Sequence, residues 1–136
     1  MATKRWNDPA ARADGTRILV CRFRPRGVRK TEETWDEWHP DLAPSRELLA
    51  AYHGKTAPSI GWSEMRRRYL AEMRAQRGAI AALASRAAGG EKITLLCSSA
   101  CVDPERCHRT LLRKLVEAPV ARRLRAPTVG PRARGA

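Results

Sequence analysis

The stretch TLLCSSACVDPERCHRTLL, residues 94–112, decides the fold because it passes from an apolar strand to a helix within a few residues. The short apolar run KITLLC (92–97) predicts a buried strand. Asp103 and Pro104 are typical of a helix start, since aspartate accepts a hydrogen bond from the first turn and proline fits the first helical position. The stretch therefore predicts a strand, a small polar loop and a final helix over residues 104–117.

A second apolar run, RILVCRF (17–23), predicts another buried strand. Three helices are predicted between the two strands: RELLAAYH after Ser45, EMRRRYLAEMRAQR after Ser63, and AIAALASRAA over residues 79–88. Strands that alternate with helices are typical of folds with a parallel sheet. The sequence therefore predicts a single α/β domain, with a small, mainly parallel sheet flanked by helices.

Chain length and local composition predict the domain organisation. A chain of 136 residues is long enough to bury one core without disulfides or metals. We expect the polar residues 1–15 to form an N-terminal extension and residues 16–118 to form the α/β domain. Residues 119–136 are rich in arginine and proline, which predicts a basic, disordered tail.

The net charge of +13 indicates an anionic partner. A protein this basic attracts polyanions, and we expect its partner to be nucleic acid or a phosphorylated small molecule. No run of residues approaches the roughly 18 apolar residues of a membrane span, and the amino terminus lacks the apolar core of a secretion signal. The sequence therefore predicts a cytoplasmic protein without a membrane partner.

Two loops carry the basic residues that an anionic partner requires. Because the carboxyl ends of parallel strands open at one edge of a sheet, the loops that follow the two predicted strands should meet there. The candidate ligand-binding residues on these loops and on the final helix are Arg24, Arg26, Gly27, Ser98, Ser99, Arg106 and Arg109. With the N-terminus of that helix they predict a pocket for phosphate, a nucleotide or nucleic acid. Trp35, Trp38 and Trp62 either stack a base there or belong to the core.

Cys97, Cys107 and His108 favour an alternative function, that of a thiol-dependent enzyme. A thiol near arginines and a helix start has a lowered pKa and acts as a nucleophile, and an adjacent histidine can carry a proton. The substrate would then be a phosphorylated molecule or a nucleic acid. Both cysteines would equally fill space in a core, since cysteine is among the most buried residue types. Catalysis therefore stays an open alternative.

A zinc site is the third alternative, because Cys97, Cys101, Cys107 and His108 form a Cys₃His donor set. Such a site would make the protein a structural or protein-interaction module. The spacing C-x₃-C-x₅-C-H matches no common zinc finger, and adjacent cysteine and histidine ligands are geometrically awkward. A redox pair of Cys97 with Cys101 or Cys107 is a further option. Zinc is thus the cofactor to test.

Several stretches resemble the bacterial family known as domain of unknown function 488. They are TLLCSSACVDPERCHRTLL, ILVCRFRPRGVRK, WDEWHPDLAPSRELLAAY and WSEMRRRYLAEM, which together cover about residues 16–118. The resemblance implies an α/β domain without an established activity. It also implies functional positions at Cys97, the Cys107-His108-Arg109 triplet and the loop over residues 24–27. Cys101 departs from the family pattern and adds to the metal and redox options of this chain.

Overall fold

The computed structural model describes residues 1–119, in which four strands form one parallel sheet. The strands are β1 (Ala2–Arg5), β2 (Thr16–Leu19), β3 (Glu37–Trp38) and β4 (Ile93–Cys97). Their order across the sheet is β1-β4-β2-β3, and all neighbouring strands are parallel. The predicted α/β fold with a mainly parallel sheet is confirmed, and β2 and β4 are direct neighbours.

Four α-helices within residues 1–119 cover one face of the sheet. They are α1 (Arg46–Tyr52), α2 (Trp62–Met73), α3 (Arg77–Ala88) and α4 (His108–Glu117). Apolar residues from every helix share one core cluster with Ile18 and Leu95 of the sheet. Leu19 and Leu96 point to the other face, where Trp35 packs on them. None of the described helices combines the length and apolar character that a bilayer crossing needs.

The amino terminus of the chain contributes a strand. Residues 2–5 lie within the stretch that we expected to be an extension, yet they pair with β4, with Ala2 opposite Thr94. The Trp6 N–H then donates to the Cys97 carbonyl at 2.8 Å. This edge strand has the polar sequence ATKR, which shows no apolar pattern. The sheet therefore begins well before residue 16; residues 120–136, which hold the predicted tail, lie outside the described residues.

The final helix starts later than predicted. Asp103 does accept a hydrogen bond from the Glu105 N–H at 3.0 Å, but it caps only a short 3₁₀ turn over Pro104–Arg106. Cys107 follows in an extended conformation, with φ −138° and ψ 138°, which no α-helix accommodates. The prediction of a continuous helix over residues 104–117 is therefore wrong at its start, and Cys107 is the N-cap of α4.

Paired charges hold the amino ends of the strands together. We call Asp14, Arg17, Glu37, Arg86 and Glu91 the amino-end network. Arg17 Nη1 donates to Asp14 Oδ2 at 2.5 Å, and the Arg86 guanidinium donates to both glutamates at 2.6–3.0 Å. Each acceptor of these bonds is a carboxylate, so the charges of the two arginines are neutralised within the network.

Gly15 lets this network approach β4 closely. Its φ of +64° lies in the left-handed region, and a Cβ there would come within 2.2 Å of the Lys92 carbonyl oxygen. The chain therefore turns tightly from Asp14 into β2. The Asp14 carbonyl accepts a hydrogen bond from the Thr94 hydroxyl at 2.8 Å, which fixes the turn to β4.

Candidate functional site

A cavity of about 720 Å³ opens at the carboxyl ends of β2 and β4. Residues 21–26 of the loop after β2 form one of its sides, and Cys97 with residues 98–103 of the loop after β4 forms a second. Residues from α1 and α2 form another. The two loops meet here because their strands are parallel neighbours in the sheet. Crevices at this edge of α/β sheets are where ligands bind, so this cavity is the candidate functional site.

Most of the predicted ligand-binding residues lie around the cavity. Those that line it are Arg24, Arg26, Ser98, Ser99 and Arg106. Gly27 and Arg109 are not among the lining residues. Gly27 has a φ of +73°, so it serves the turn of the β2 loop through its backbone conformation.

The arginines around the cavity fall into two groups. Arg24 donates to Glu33 Oε2 at 2.8 Å and lies over the Trp35 ring. Arg22 also lines the cavity, and its guanidinium donates to the backbone carbonyls of residues 43 and 44. These two side chains hold the β2 loop in place. Arg26 and Arg106 are exposed at the cavity, and their guanidinium groups bind no described residue.

Aromatic rings form much of the cavity wall. The lining aromatic residues are Trp6, Phe23, Tyr52 and Trp62. Trp35 lies instead in the core, where it is 8% exposed, and Trp38 is exposed and donates to the Cys21 carbonyl at 2.8 Å. Of the three tryptophans considered for base stacking, Trp62 is therefore at the cavity. The sequence did not indicate Trp6, because the polar strand before it carried no strand signal.

Three cysteines meet at the floor of the cavity. The Sγ atoms of Cys97, Cys101 and Cys107 all lie within 4.8 Å of one another, and the three residues line the cavity. We call them the cysteine cluster. Cys97 ends β4, Cys107 caps α4, and a turn closed by the Cys101 N–H on the Ser98 carbonyl brings in the third thiol. Cys97 and Cys107 are buried, whereas Cys101 is half-buried.

His108 lies beside the cysteine cluster with a fixed orientation. Its Nε2 is 2.6 Å from the Val20 carbonyl oxygen, which can only accept, so Nε2 carries the proton. Nδ1 then faces Cys97 Sγ at 3.9 Å as an acceptor. Burial lowers the pKa of His108, which keeps the ring neutral. Among the described residues, the set of mutually close ligand atoms consists of the three cysteines and does not include His108.

The three thiols differ in their acidity. Hydrogen bonds from Cys107 and Cys97 lower the pKa of the Cys101 thiol, and the positive charge of Arg109 contributes in the same direction. The hydrogen bond to Cys101 raises the pKa of Cys97, followed by those to Cys107 and Cys21. The interactions among the three thiols thus favour the thiolate form of Cys101 over that of Cys97. Cys101 is the most accessible of the three thiols, whereas Cys97 and Cys107, the candidate nucleophiles of the sequence, are buried beside it.

Arg109 lies within the protein beside the cysteine cluster. It is 5% exposed, and its Nε and Nη1 atoms bind no described residue. Its charge acts on Cys101 and on Asp8, which is already paired with Arg5 at 2.9 Å. An arginine that is buried without a full set of acceptors is costly, because its charge loses water. Arg109 is therefore a buried cation that lacks part of its hydrogen-bond acceptors.

The chain is similar in sequence to bacterial proteins that are named as uncharacterised. The Escherichia coli (strain K12) protein named Uncharacterized protein YeaO is 46% identical over 70 residues, which are 52% of this chain and 58% of that protein. Uncharacterized protein Rv3073c of Mycobacterium tuberculosis (strain ATCC 25618 / H37Rv) is 48% identical over 40 residues, 29% of this chain and 34% of that protein. The matches thus span less than two thirds of each relative.

No solved structure matches the chain. A family model described as "Active DUF488-N3 subclade" matches residues 1–119, which are all the described residues. The match includes β1 and the cysteine cluster as well as the stretches that carried the resemblance. The chain therefore belongs to the DUF488-N3 subclade of the domain of unknown function 488 family.

Proposed function

We propose that the protein binds a nucleotide, a phosphorylated small molecule with a planar ring, in the cavity between the β2 and β4 loops. The observation that carries the proposal is the pair Arg26 and Arg106. Arg26 lies on the loop after β2 and Arg106 ends the 3₁₀ turn before α4; both line the same cavity, and their guanidinium groups bind no described residue. Two unpaired cations at one cavity favour a phosphate group, which accepts several charge-assisted hydrogen bonds.

Two other arginines that line the cavity, Arg22 and Arg24, are already paired within the protein. The guanidinium groups of Arg22 and Arg24 already bind carbonyl and carboxylate oxygens of the protein. A ligand would have to displace those bonds to use them. Arg26 and Arg106 require no such exchange, so they are the residues that bind phosphate.

The aromatic wall supports a planar ring beside the phosphate. Trp6, Phe23, Tyr52 and Trp62 line the cavity, and stacking of a base on an aromatic side chain contributes about 1–3 kcal/mol. The cavity volume of about 720 Å³ lies in the range of small-molecule sites. A concave site of this size suits a single nucleotide better than the extended groove that a nucleic-acid strand occupies.

Calorimetric titration of the full chain with the four nucleoside monophosphates tests the proposal. We expect at least one of them to bind with one ligand per chain, and the corresponding nucleoside without phosphate to bind roughly tenfold more weakly or less. Arg26→Ala and Arg106→Ala should each weaken binding by roughly tenfold, because each removes charged hydrogen bonds to the phosphate.

Arg29→Ala is the matched control, since Arg29 is an exposed arginine of the same loop outside the cavity. It should leave the affinity unchanged. Equal losses in all three variants would show that general positive charge, and not this site, attracts the ligand. Binding of a single-stranded oligonucleotide without binding of any monophosphate would contradict the small-molecule proposal in favour of nucleic acid.

Thiol-dependent catalysis on the bound molecule is a second candidate function. The observation that favours it is the position of Cys101, a half-buried thiol that lines the same cavity between two buried thiols. The matching family model is described as an active subclade. Iodoacetamide should alkylate Cys101 before Cys97 and Cys107, and a bound monophosphate should slow that reaction. Equal rates of Cys101 alkylation with and without the monophosphate would show that this thiol lies outside the ligand-binding site.

A further inference from the structure

We propose that the cysteine cluster binds one zinc ion through three thiolates and leaves the fourth coordination position open to the cavity. This inference goes beyond nucleotide binding and does not depend on it. It also differs from a closed Cys₃His site, because the geometry gives zinc the sulfur atoms of Cys97, Cys101 and Cys107 without His108.

The sulfur positions suit zinc. In a tetrahedral site with Zn–S bonds of about 2.3 Å, the sulfur atoms lie about 3.8 Å apart. The three Sγ atoms already lie within 4.8 Å of one another, so small side-chain rotations bring them to this spacing. Thiolates are soft ligands that select zinc and other thiophilic ions over magnesium and calcium.

The fold holds two of the three ligands firmly. Cys97 is the last residue of the central strand β4, and Cys107 is the N-cap of α4. Both residues are at most 3% exposed. Cys101 lies on the loop between them, which can adjust to the ion. A site with two fixed ligands and one adaptable ligand can close around a metal without a change in the core.

Charge supplies an independent argument for this site. Three thiolates and one Zn²⁺ carry a net charge of −1, and Arg109 is a buried cation beside them whose Nε and Nη1 bind no described residue. The carboxylate of Asp8, on which the charge of Arg109 also acts, is already paired with Arg5. A zinc–thiolate centre would therefore supply the negative charge that Arg109 lacks, and Arg109 would stabilise the centre from outside its ligand set.

The fourth position faces the cavity. All three cysteines line the cavity, whereas the His108 ring is held with Nε2 on the Val20 carbonyl and Nδ1 toward Cys97. Zinc sites with three protein ligands keep the remaining position for water or substrate. An exogenous ligand that enters the cavity should therefore reach the metal.

Cobalt substitution of the full chain tests the site. The reduced, chelator-treated protein is titrated with Co²⁺ and then with Zn²⁺, with no nucleotide present. We expect one ion per chain, thiolate-to-cobalt charge-transfer absorption of three thiolates, and visible bands of a tetrahedral ion that Zn²⁺ abolishes. Added imidazole should shift the visible bands, because it enters the open position.

Variants assign the ligands. Cys101→Ser, Cys97→Ser and Cys107→Ser should each lose part of the charge-transfer band and weaken zinc binding. Cys101→Ser is the most direct of these, since this half-buried side chain can change without disturbing the core. Cys21→Ser and His108→Gln are the matched controls and should keep the three-thiolate spectrum. Arg109→Met should weaken zinc binding by about 10- to 100-fold without changing the spectrum.

Three results would overturn the proposal. They are the absence of stoichiometric metal binding, a Cys101→Ser variant that binds as tightly as the parent, and visible bands that imidazole leaves unchanged. Loss of the spectrum in Cys21→Ser or His108→Gln would instead show a closed four-ligand site, which also contradicts an open position. Since the titration contains no nucleotide, its failure leaves the nucleotide proposal standing, and the reverse is equally true.

Discussion

The arginines at the two ends of the parallel strands differ in whether the protein supplies their hydrogen-bond acceptors. At the amino ends of the strands, Arg86 donates to both Glu37 and Glu91, and Arg17 donates to Asp14. At the carboxyl ends, Arg26 and Arg106 bind no described residue although they line one cavity. Both edges are rich in arginine, so the number of basic residues does not distinguish them.

The difference lies in whether the protein itself supplies the acceptors. Where it does, the arginines stabilise the fold and nothing is left for a ligand. Where the protein supplies no acceptor, as at Arg26 and Arg106, the cations and the nearby thiols can bind an anion or a metal from solution. Substitutions at the amino edge should therefore change stability, whereas those at the carboxyl edge should change binding with little or even a favourable effect on stability.

The largest loss of stability is expected on substitution of Asp14. Its carboxylate is 4% exposed and binds Arg17 and Lys4, so Asp14→Ala leaves the buried Arg17 guanidinium without its charge partner. Breaking a buried pair from one side costs about 3–5 kcal/mol. Urea denaturation should show this loss in the free energy of unfolding. Asp41→Ala, which removes an exposed carboxylate, is the control and should cost under about 0.5 kcal/mol.

The same carboxylate predicts a pH dependence. The hydrogen bond from Lys4, followed by that from the Ala11 N–H, lowers the pKa of Asp14 from 3.8 to about 2. A carboxylate with a lowered pKa in the folded state stabilises the fold above its unfolded pKa and loses that contribution as the pH falls. The difference in unfolding free energy between the parent and Asp14→Asn should thus be constant above pH 5 and shrink between about pH 4 and pH 2. A constant difference over this whole range would contradict the assignment.

A smaller change, which is a gain in stability of the metal-free protein, is expected on substitution of Arg109. Because its Nε and Nη1 bind no described residue, Arg109→Met should raise the free energy of unfolding of the metal-free protein by about 1 kcal/mol. In the zinc-loaded protein the gain should disappear, since the substitution removes the counter-charge of the centre. Denaturation of both variants with and without Zn²⁺ measures this change. A destabilised metal-free variant would show that the arginine is already satisfied without metal.

The sequence predicted the parts of the fold that depend on local pattern. The apolar runs gave β2 and β4, and Ser45 caps α1 as expected by accepting from the Leu48 N–H at 3.1 Å. It did not reveal β1, because an edge strand held by backbone pairing needs no apolar side chains. It also placed the start of the last helix at Asp103, since a cap signal does not tell a 3₁₀ turn from an α-helix.

The sequence predicted which residues lie at the candidate site, but it did not predict which of them are already paired within the protein. Parallel neighbouring strands sufficed to bring Arg24, Arg26 and Arg106 to one edge. Whether an arginine is satisfied depends on long-range partners, such as Glu33 for Arg24, which no local pattern reveals. The convergence of the three thiols likewise depends on the extended conformation of Cys107, which turns its side chain toward the cavity.

A crystal structure of the full chain with the tightest-binding nucleoside monophosphate tests the contrast between the two edges most directly. We predict that the phosphate lies within hydrogen-bond distance of Arg26 and Arg106, with the base among the aromatic side chains of the cavity wall. A phosphate bound elsewhere on the basic surface, or a cavity without ligand at saturating concentration, would contradict the account.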